Sequence, residues 1–154
     1  MEIVAGRDAA ATERILRSLP SWFGIEDALR AYVARTAIAD ASLVARIDGE
    51  VVGVALVERR PPETAELVLI AVHADHRGDG IGRALVDAAA TWAGFAGASS
   101  LEVHTVGPSF DDDGYAATRA FYRSCGFLPV REVDGLDWDG PTLILVLPLA
   151  ASVA

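Results

Sequence analysis

Leu67-Val68-Leu69-Ile70-Ala71-Val72-His73-Ala74-Asp75-His76-Arg77-Gly78-Asp79-Gly80-Ile81-Gly82-Arg83-Ala84-Leu85 decides how the rest of the chain reads. Leu67 to Val72 is an unbroken apolar run, the pattern of a central strand buried on both faces. Glycines follow at the alternate positions 78, 80 and 82, and then Ile81, Leu85, Ala88, Trp92 and Phe95 form an apolar stripe at helical spacing. Glycines let a backbone approach a ligand closely and turn successive N–H groups inward. A helix N-terminus adds a partial positive charge at the same place, and Arg77 and Arg83 add full ones. Such a strand, turn and helix can hold a pyrophosphate. The plainer alternative is a glycine-rich turn with no ligand.

Two other phosphate-binding patterns fail on spacing. A dinucleotide fingerprint needs G-x-G-x-x-G, and Arg83 or Leu85 stands where its last glycine belongs. A P-loop needs Gly-Lys-Ser/Thr, which is absent. Upstream, Ile3-Val4-Ala5 reads as a short strand, and Asp8 can cap a helix through Ile15, Leu16 and Leu19 that ends near Pro20. Asp27 to Ala39 reads as a second helix, with Leu29, Val33 and Ala37 four residues apart. Leu43–Ile47 and Val51–Val57 flank Asp48-Gly49-Glu50, a hairpin signal, since Asp-Gly tolerates the positive φ of a tight turn. Downstream, Leu101–Val106 alternates as a strand, Val106 to Gly114 is a polar loop, and Tyr115–Cys125 is a helix stopped by Gly126. Phe127–Val133 and Thr142–Leu147 close the chain as strands. The order β-α-α-β-β-β-α-β-α-β-β predicts a mixed α/β domain over residues 1–154, with a βαβ unit at its centre.

The chain has 154 residues, 52% of them hydrophobic, enough for one sizeable core. A mean hydropathy of +0.32 excludes disorder. The lone Cys125 excludes a disulfide scaffold. No apolar run has the length of a membrane-spanning helix, and the first residues lack the basic-then-apolar pattern of a secretory signal, so a cytoplasmic location is expected. The net charge of −9 argues against nucleic acid as a partner and favours cationic small molecules. An anionic ligand would have to be held by local chemistry against that field.

Arg77-Gly78-Asp79-Gly80-Ile81-Gly82 resembles the R/Q-x-x-G-x-G/A signature of the bacterial GNAT superfamily of acyl-CoA N-acyltransferases. Thr118-Arg119-Ala120-Phe121-Tyr122-Arg123-Ser124-Cys125-Gly126-Phe127 resembles the A-x-x-F-Y-x-x-x-G-F segment of the same family, and the element order is similar as well. The resemblance implies a three-layer α/β/α fold with a mixed, mostly antiparallel sheet. It implies acetyl-CoA as co-substrate, with the backbone of Arg77, Gly78, Asp79, Gly80, Ile81 and Gly82, aided by Arg83, around the pyrophosphate. Ile70, Ala71 and Val72 would offer their backbone to the pantetheine arm like an added strand. An N–H near Ala71 or Val72 would polarise the thioester carbonyl. The activity implied is transfer of an acetyl group to a primary amine by direct attack. A non-catalytic acyl-CoA-binding regulatory module is the alternative, and a homodimer is possible.

That chemistry needs two proton transfers. Tyr122 matches the family's general acid, because a phenol holds its proton at neutral pH and can give it to the leaving thiolate. Phe121 beside it is expected to be the core member of the pair. Glu66, at the start of the central strand, is the candidate base, acting directly or through water; His104 and His73 are rivals, since imidazole titrates near neutrality. Tyr115 stands where many members carry asparagine. Asp111-Asp112-Asp113 is either a solvated turn or a lid that attracts a cationic acceptor. His73 and His76 find no third ligand nearby, so no metal site is expected. Cys125 reads as a buried small hydrophobe. Trp22 and Phe23 belong to the core or line the acceptor site. The acceptor itself is not legible at this level.

Overall fold

The computed structural model describes residues 1–150. Seven strands form one sheet: β1 Glu2–Ala5, β2 Ala41–Ile47, β3 Glu50–Arg60, β4 Thr64–Val72, β5 Ser100–Val106, β6 Leu128–Asp134 and β7 Pro141–Pro148. Four α-helices cover it: α1 Ala9–Arg17, α2 Glu26–Arg35, α3 Ile81–Phe95 and α4 Asp113–Ser124. The strand order is β1-β2-β3-β4-β5-β7-β6, and only β4 and β5 run parallel. One core, around Ile15, Leu16, Leu29, Val54 and Leu69, packs α1 and α2 on one face. The other, around Leu67, Ile81, Leu85, Leu101, Tyr122 and Phe127, packs α3 and α4 on the opposite face. The expected three-layer fold is the one found.

The hairpin forms as its sequence dictates, with Asp48 at φ 51° and Gly49 at φ 80°. Asp8 caps α1, its carboxylate accepting from the Ala11 N–H at 2.9 Å. The second helix stops at Arg35, short of the expected Ala39. The Arg7 guanidinium binds the carbonyls of Thr36 and Ala39, at 2.9 and 2.7 Å, and holds the chain in turns there. No local pattern announces a cap supplied from so far along the chain.

The inward face of α3 also departs from expectation. Ile81, Leu85, Val86, Ala89 and Ala93 are buried, whereas Trp92 is half-buried and Phe95 is 87% exposed. The helix lies close on the sheet: a side chain at Gly53 would meet Leu85 Cδ1 at 3.0 Å. Alanines fit that distance and aromatic rings do not. On α4 the expected roles are exchanged, because Tyr122 is buried in the core while Phe121 is half-buried against Gly82. The sixth strand starts at Leu128 and not Phe127, which packs fully buried in the turn before it.

The central strand is not buried evenly on both faces. Val57 pairs with Leu67 and Leu56 with Leu69, so Val68 is an extra residue, a bulge. Before the bulge Ala65 and Leu67 face α3; after it Leu69 and Ala71 face α1 and α2. Pairing of β4 with β5 covers only Thr64–Ser100, Ala65–Leu101 and Glu66–Glu102. Beyond that level β4 stays with β3 while β5 stays with β7, and the two strands splay apart.

The contact of Gly82 with Phe121 locks α3 to α4, since a Cβ there would lie 3.0 Å from the Phe121 ring. Gly82→Val is expected to cost about 1–3 kcal/mol through overpacking. Urea unfolding checks this, and an unchanged midpoint would show that the ring moves aside freely.

Candidate active site

The splayed strands bound a cavity of about 780 Å³ whose walls include Leu67–Val72 on one side and Val103–Val106 on the other. The His73 N–H donates to the Val52 carbonyl at 2.8 Å. Antiparallel pairs alternate between hydrogen-bonded and open, so Ala71 directs its backbone groups to β3, while Ile70 and Val72 direct theirs into the gap. Of the two positions expected to aim an N–H at the gap, the ladder selects Val72.

The wide end of the gap meets the glycine turn. Gly78 and Gly80 have φ 84° and 80°, and a Cβ on either would touch nothing within 4 Å. Both are therefore required by backbone conformation, with open space in front of them. No side chain caps α3, which leaves its first N–H groups available to a ligand. Arg77 is exposed at this mouth, its guanidinium 4.6 Å above the Trp22 ring. The Trp22 indole N–H donates to Thr118 Oγ1 on α4 at 3.2 Å, so Trp22 spans the mouth from the α1–α2 loop to α4. Arg83 turns to α4 instead, donating to the Ser124 carbonyl at 2.8 Å. Asp79 is exposed on the same turn.

Tyr122 reaches the gap from the α3–α4 side, and burial drives its phenol pKa well above the ordinary value of 10. Tyr115, in the first turn of α4, lines the same cavity. Of the acidic loop, Asp112 caps α4 by accepting from the Tyr115 N–H at 3.1 Å and Asp113 is already helical, which is why the helix starts before the expected Tyr115. Cys125 ends that helix partly buried, with its thiol pKa raised by burial.

The narrow end carries an ionic cluster on the α2 side of the sheet. Glu66 and Glu102 are register partners, and His104 follows on the same face of β5. His104 Nε2 lies 2.7 Å from Glu102 Oε2, and its Nδ1 lies 2.7 Å from Asp137 Oδ2 and 3.9 Å from Glu66 Oε2. Arg60 holds the other Glu66 oxygen at 3.2 Å and Glu58 at 2.9 Å. Burial opposes charge on His104, but the bonds to Glu102 and Asp137 and the field of Glu66 outweigh it and raise its pKa above 6.5. With both ring nitrogens engaged by carboxylates, the imidazole has no free nitrogen to offer a substrate. This disfavours His104 as the base. The other rival, His73, uses Nδ1 to accept from the Asp75 N–H at 3.1 Å.

Glu66, Glu102 and His104 also form the one grouping, among the described residues, close enough to hold a metal ion. Neither Glu102 nor Asp137 had a sequence signal: one is an ordinary strand position and the other lies in a turn. Among the described residues no helix is long and apolar enough to cross a membrane.

Asp137→Asn is expected to lower the His104 titration midpoint, measured by NMR of its ring protons. The raised pKa means that the stability contributed by protonation of His104 is present below its ordinary value of 6.5 and is lost as pH rises through the folded-state value. An unmoved midpoint would show that Asp137 does not hold the proton.

A model of the acetyltransferase (GNAT) domain matches residues 39–129. A comparison of the sequence with curated proteins finds no match. Among solved structures, a GNAT-family acetyltransferase structure from Desulfovibrio desulfuricans is similar with a TM-score of 0.82 at 24% identity, over 97% of this chain and 99% of that one. The ribosomal-protein-S18-alanine N-acetyltransferase of Escherichia coli gives 0.77 at 19%, over 99% and 96%. An aminoglycoside 6'-N-acetyltransferase complexed with coenzyme A gives 0.78 at 16%, over all of both chains. With both sequence motifs placed on one cavity and the domain model spanning more than half of its length, the chain belongs to the GNAT family of acetyltransferases.

Proposed function

We propose that the protein transfers an acetyl group from acetyl-CoA to a primary amine held with it in one ternary complex. The observation that carries this is the gap between β4 and β5, which ends on the glycine turn and the uncapped start of α3. The donor set fits coenzyme A: backbone N–H groups, an exposed guanidinium and a helix N-terminus for the phosphates, and an unpaired strand edge for the amide-bearing arm. When bound, acetyl-CoA supplies an activated carbonyl and a thiolate leaving group.

The chain's own groups divide the remaining work. Arg77 and the backbone of Gly78 to Gly82 hold the diphosphate, with Arg83 stiffening the start of α3 through its bond to Ser124. Ile70 and Val72 hold the arm by backbone bonds, and the Val72 N–H stabilises negative charge developing on the carbonyl oxygen. Tyr122, kept protonated by burial, donates its proton to the leaving sulfur from the α4 side. Glu66 takes a proton from the acceptor ammonium on the α2 side, directly or through water, and the neutral amine so formed attacks the carbonyl carbon; the second proton that the nitrogen sheds as the adduct collapses passes to water, from which the Tyr122 phenol is restored. Acid and base thus work from opposite faces of the sheet, with the reacting centre in the opening between them. Positioning provides much of the rate gain.

Calorimetry with acetyl-CoA tests the binding half, and no heat at millimolar ligand would sink it. Tyr122→Phe is expected to reduce turnover by about 10²-fold or more while leaving acetyl-CoA affinity nearly unchanged. A large loss of affinity instead would make Tyr122 a binding or structural residue. Binding without thiol release across an amine panel would return the chain to the non-catalytic reading.

A further inference from the structure

Trp22 and Phe23 are neighbours in the α1–α2 loop, but they turn in different directions. Phe23 lies edge to face with Tyr32 of α2, ring centres 5.8 Å apart. Trp22 is half-buried at the mouth of the gap, and its ring is held at two edges by α4. The indole N–H donates to Thr118 Oγ1 at 3.2 Å. That hydroxyl gives its own proton to the Gly114 carbonyl at 3.1 Å, so it meets the indole with a lone pair. The six-membered ring packs on Gly114, where an added Cβ would lie 3.4 Å from Trp22 Cζ2. The first turns of α4 therefore set the plane of the ring.

Arg77 lies over a face of that ring, its guanidinium carbon 4.6 Å from the ring centre. A guanidinium stacked on an aromatic ring uses its face. Its five N–H groups stay in the plane of the fork and are left for a second partner such as a phosphate. Among the described residues Arg77 has no carboxylate partner. It lines the same mouth as Gly78, Gly80 and the uncapped start of α3. An exposed arginine samples many rotamers, and ordering it on a ligand costs entropy. Stacking on a ring fixed by α4 removes part of that freedom before the ligand arrives.

We propose that Trp22 is a positioning residue for the cofactor, holding the Arg77 guanidinium with its N–H edge ready for the diphosphate of coenzyme A. This rests on the cofactor reading above and assigns Trp22 to the phosphate end of the gap, not to the core or the acceptor site.

Calorimetry with coenzyme A tests the assignment on Trp22→Leu, Trp22→Phe, Arg77→Gln and the double variant Trp22→Leu/Arg77→Gln. Weakening of a charge-assisted phosphate contact is expected to raise Kd about tenfold in Trp22→Leu. Trp22→Phe keeps an aromatic face but not the N–H, and its Kd is expected to fall between those of Trp22→Leu and the unmodified protein. The double variant is expected to bind as Arg77→Gln does alone, because Trp22 acts through that guanidinium. A tryptophan that only supports the fold, or that touches the cofactor directly, would instead give losses that add. Thr118→Val keeps both Trp22 and Arg77 and removes only the bond that fixes the ring, so it provides the same comparison if Trp22→Leu folds poorly. It is expected to weaken binding severalfold with Arg77 present and not at all beside Arg77→Gln. Additive losses, or an affinity unchanged in both Trp22→Leu and Thr118→Val, overturn the inference alone. Absence of coenzyme A binding by the unmodified protein overturns the cofactor reading and this inference with it.

Discussion

Three residue pairs join β4 to β5, and then the two strands part. Each keeps its other neighbour: β4 remains paired with β3 up to Val72, and β5 with β7 over its whole length. The sheet is therefore two antiparallel halves hinged at Glu66 and Glu102. Backbone N–H and C=O groups along the inner edges are left without a strand partner, and such groups demand partners from water or a ligand. The opening can exist because the bulge at Val68 lets β4 keep apolar contacts on both faces while its edge swings free. An extended molecule with alternating donors and acceptors is what that edge can pair with.

The ends of the opening are chemically opposite. At the wide end stand backbone amides, the positive end of α3 and Arg77 stacked on Trp22. At the narrow end stand Glu66, Glu102 and Asp137 around His104. A net charge of −9 pervades the molecule, yet an anionic cofactor meets positive groups only where it would bind. The long-range field opposes an anionic ligand, and the local positive groups at the wide end are what offset it there.

Local signals predicted local structure well. The Asp48-Gly49 turn, the Asp8 cap and the glycines at 78 and 80 each follow from the conformational range of one or two residues, and each is found; the apolar run Leu67–Val72 is a strand as expected, though it alternates in burial. Departures occur where a distant group intervenes. Arg7 ends α2 early, and the close approach of α3 to Gly53 turns its alanines inward and its aromatics outward. Phe121 and Tyr122 exchanged expected roles because Gly82, on another helix, makes room for the phenylalanine ring. Periodicity reports that a helix has an apolar face; it does not say which of two adjacent rings the neighbour leaves space for.

By itself the sequence determined the kinds of element, their order and the position of the glycine turn, because backbone preference and hydrophobic period act over a few residues. It also carried Tyr122 and Arg77 within motifs long enough to recognise. The splay of β4 from β5, the N–H direction of Val72, the engagement of both His104 nitrogens and the meeting of Glu66, Glu102 and Asp137 around them were decided only by the tertiary structure. Those features depend on which strands pair, in what register and on which face, and residues far apart in the chain share a site only after that pairing is set.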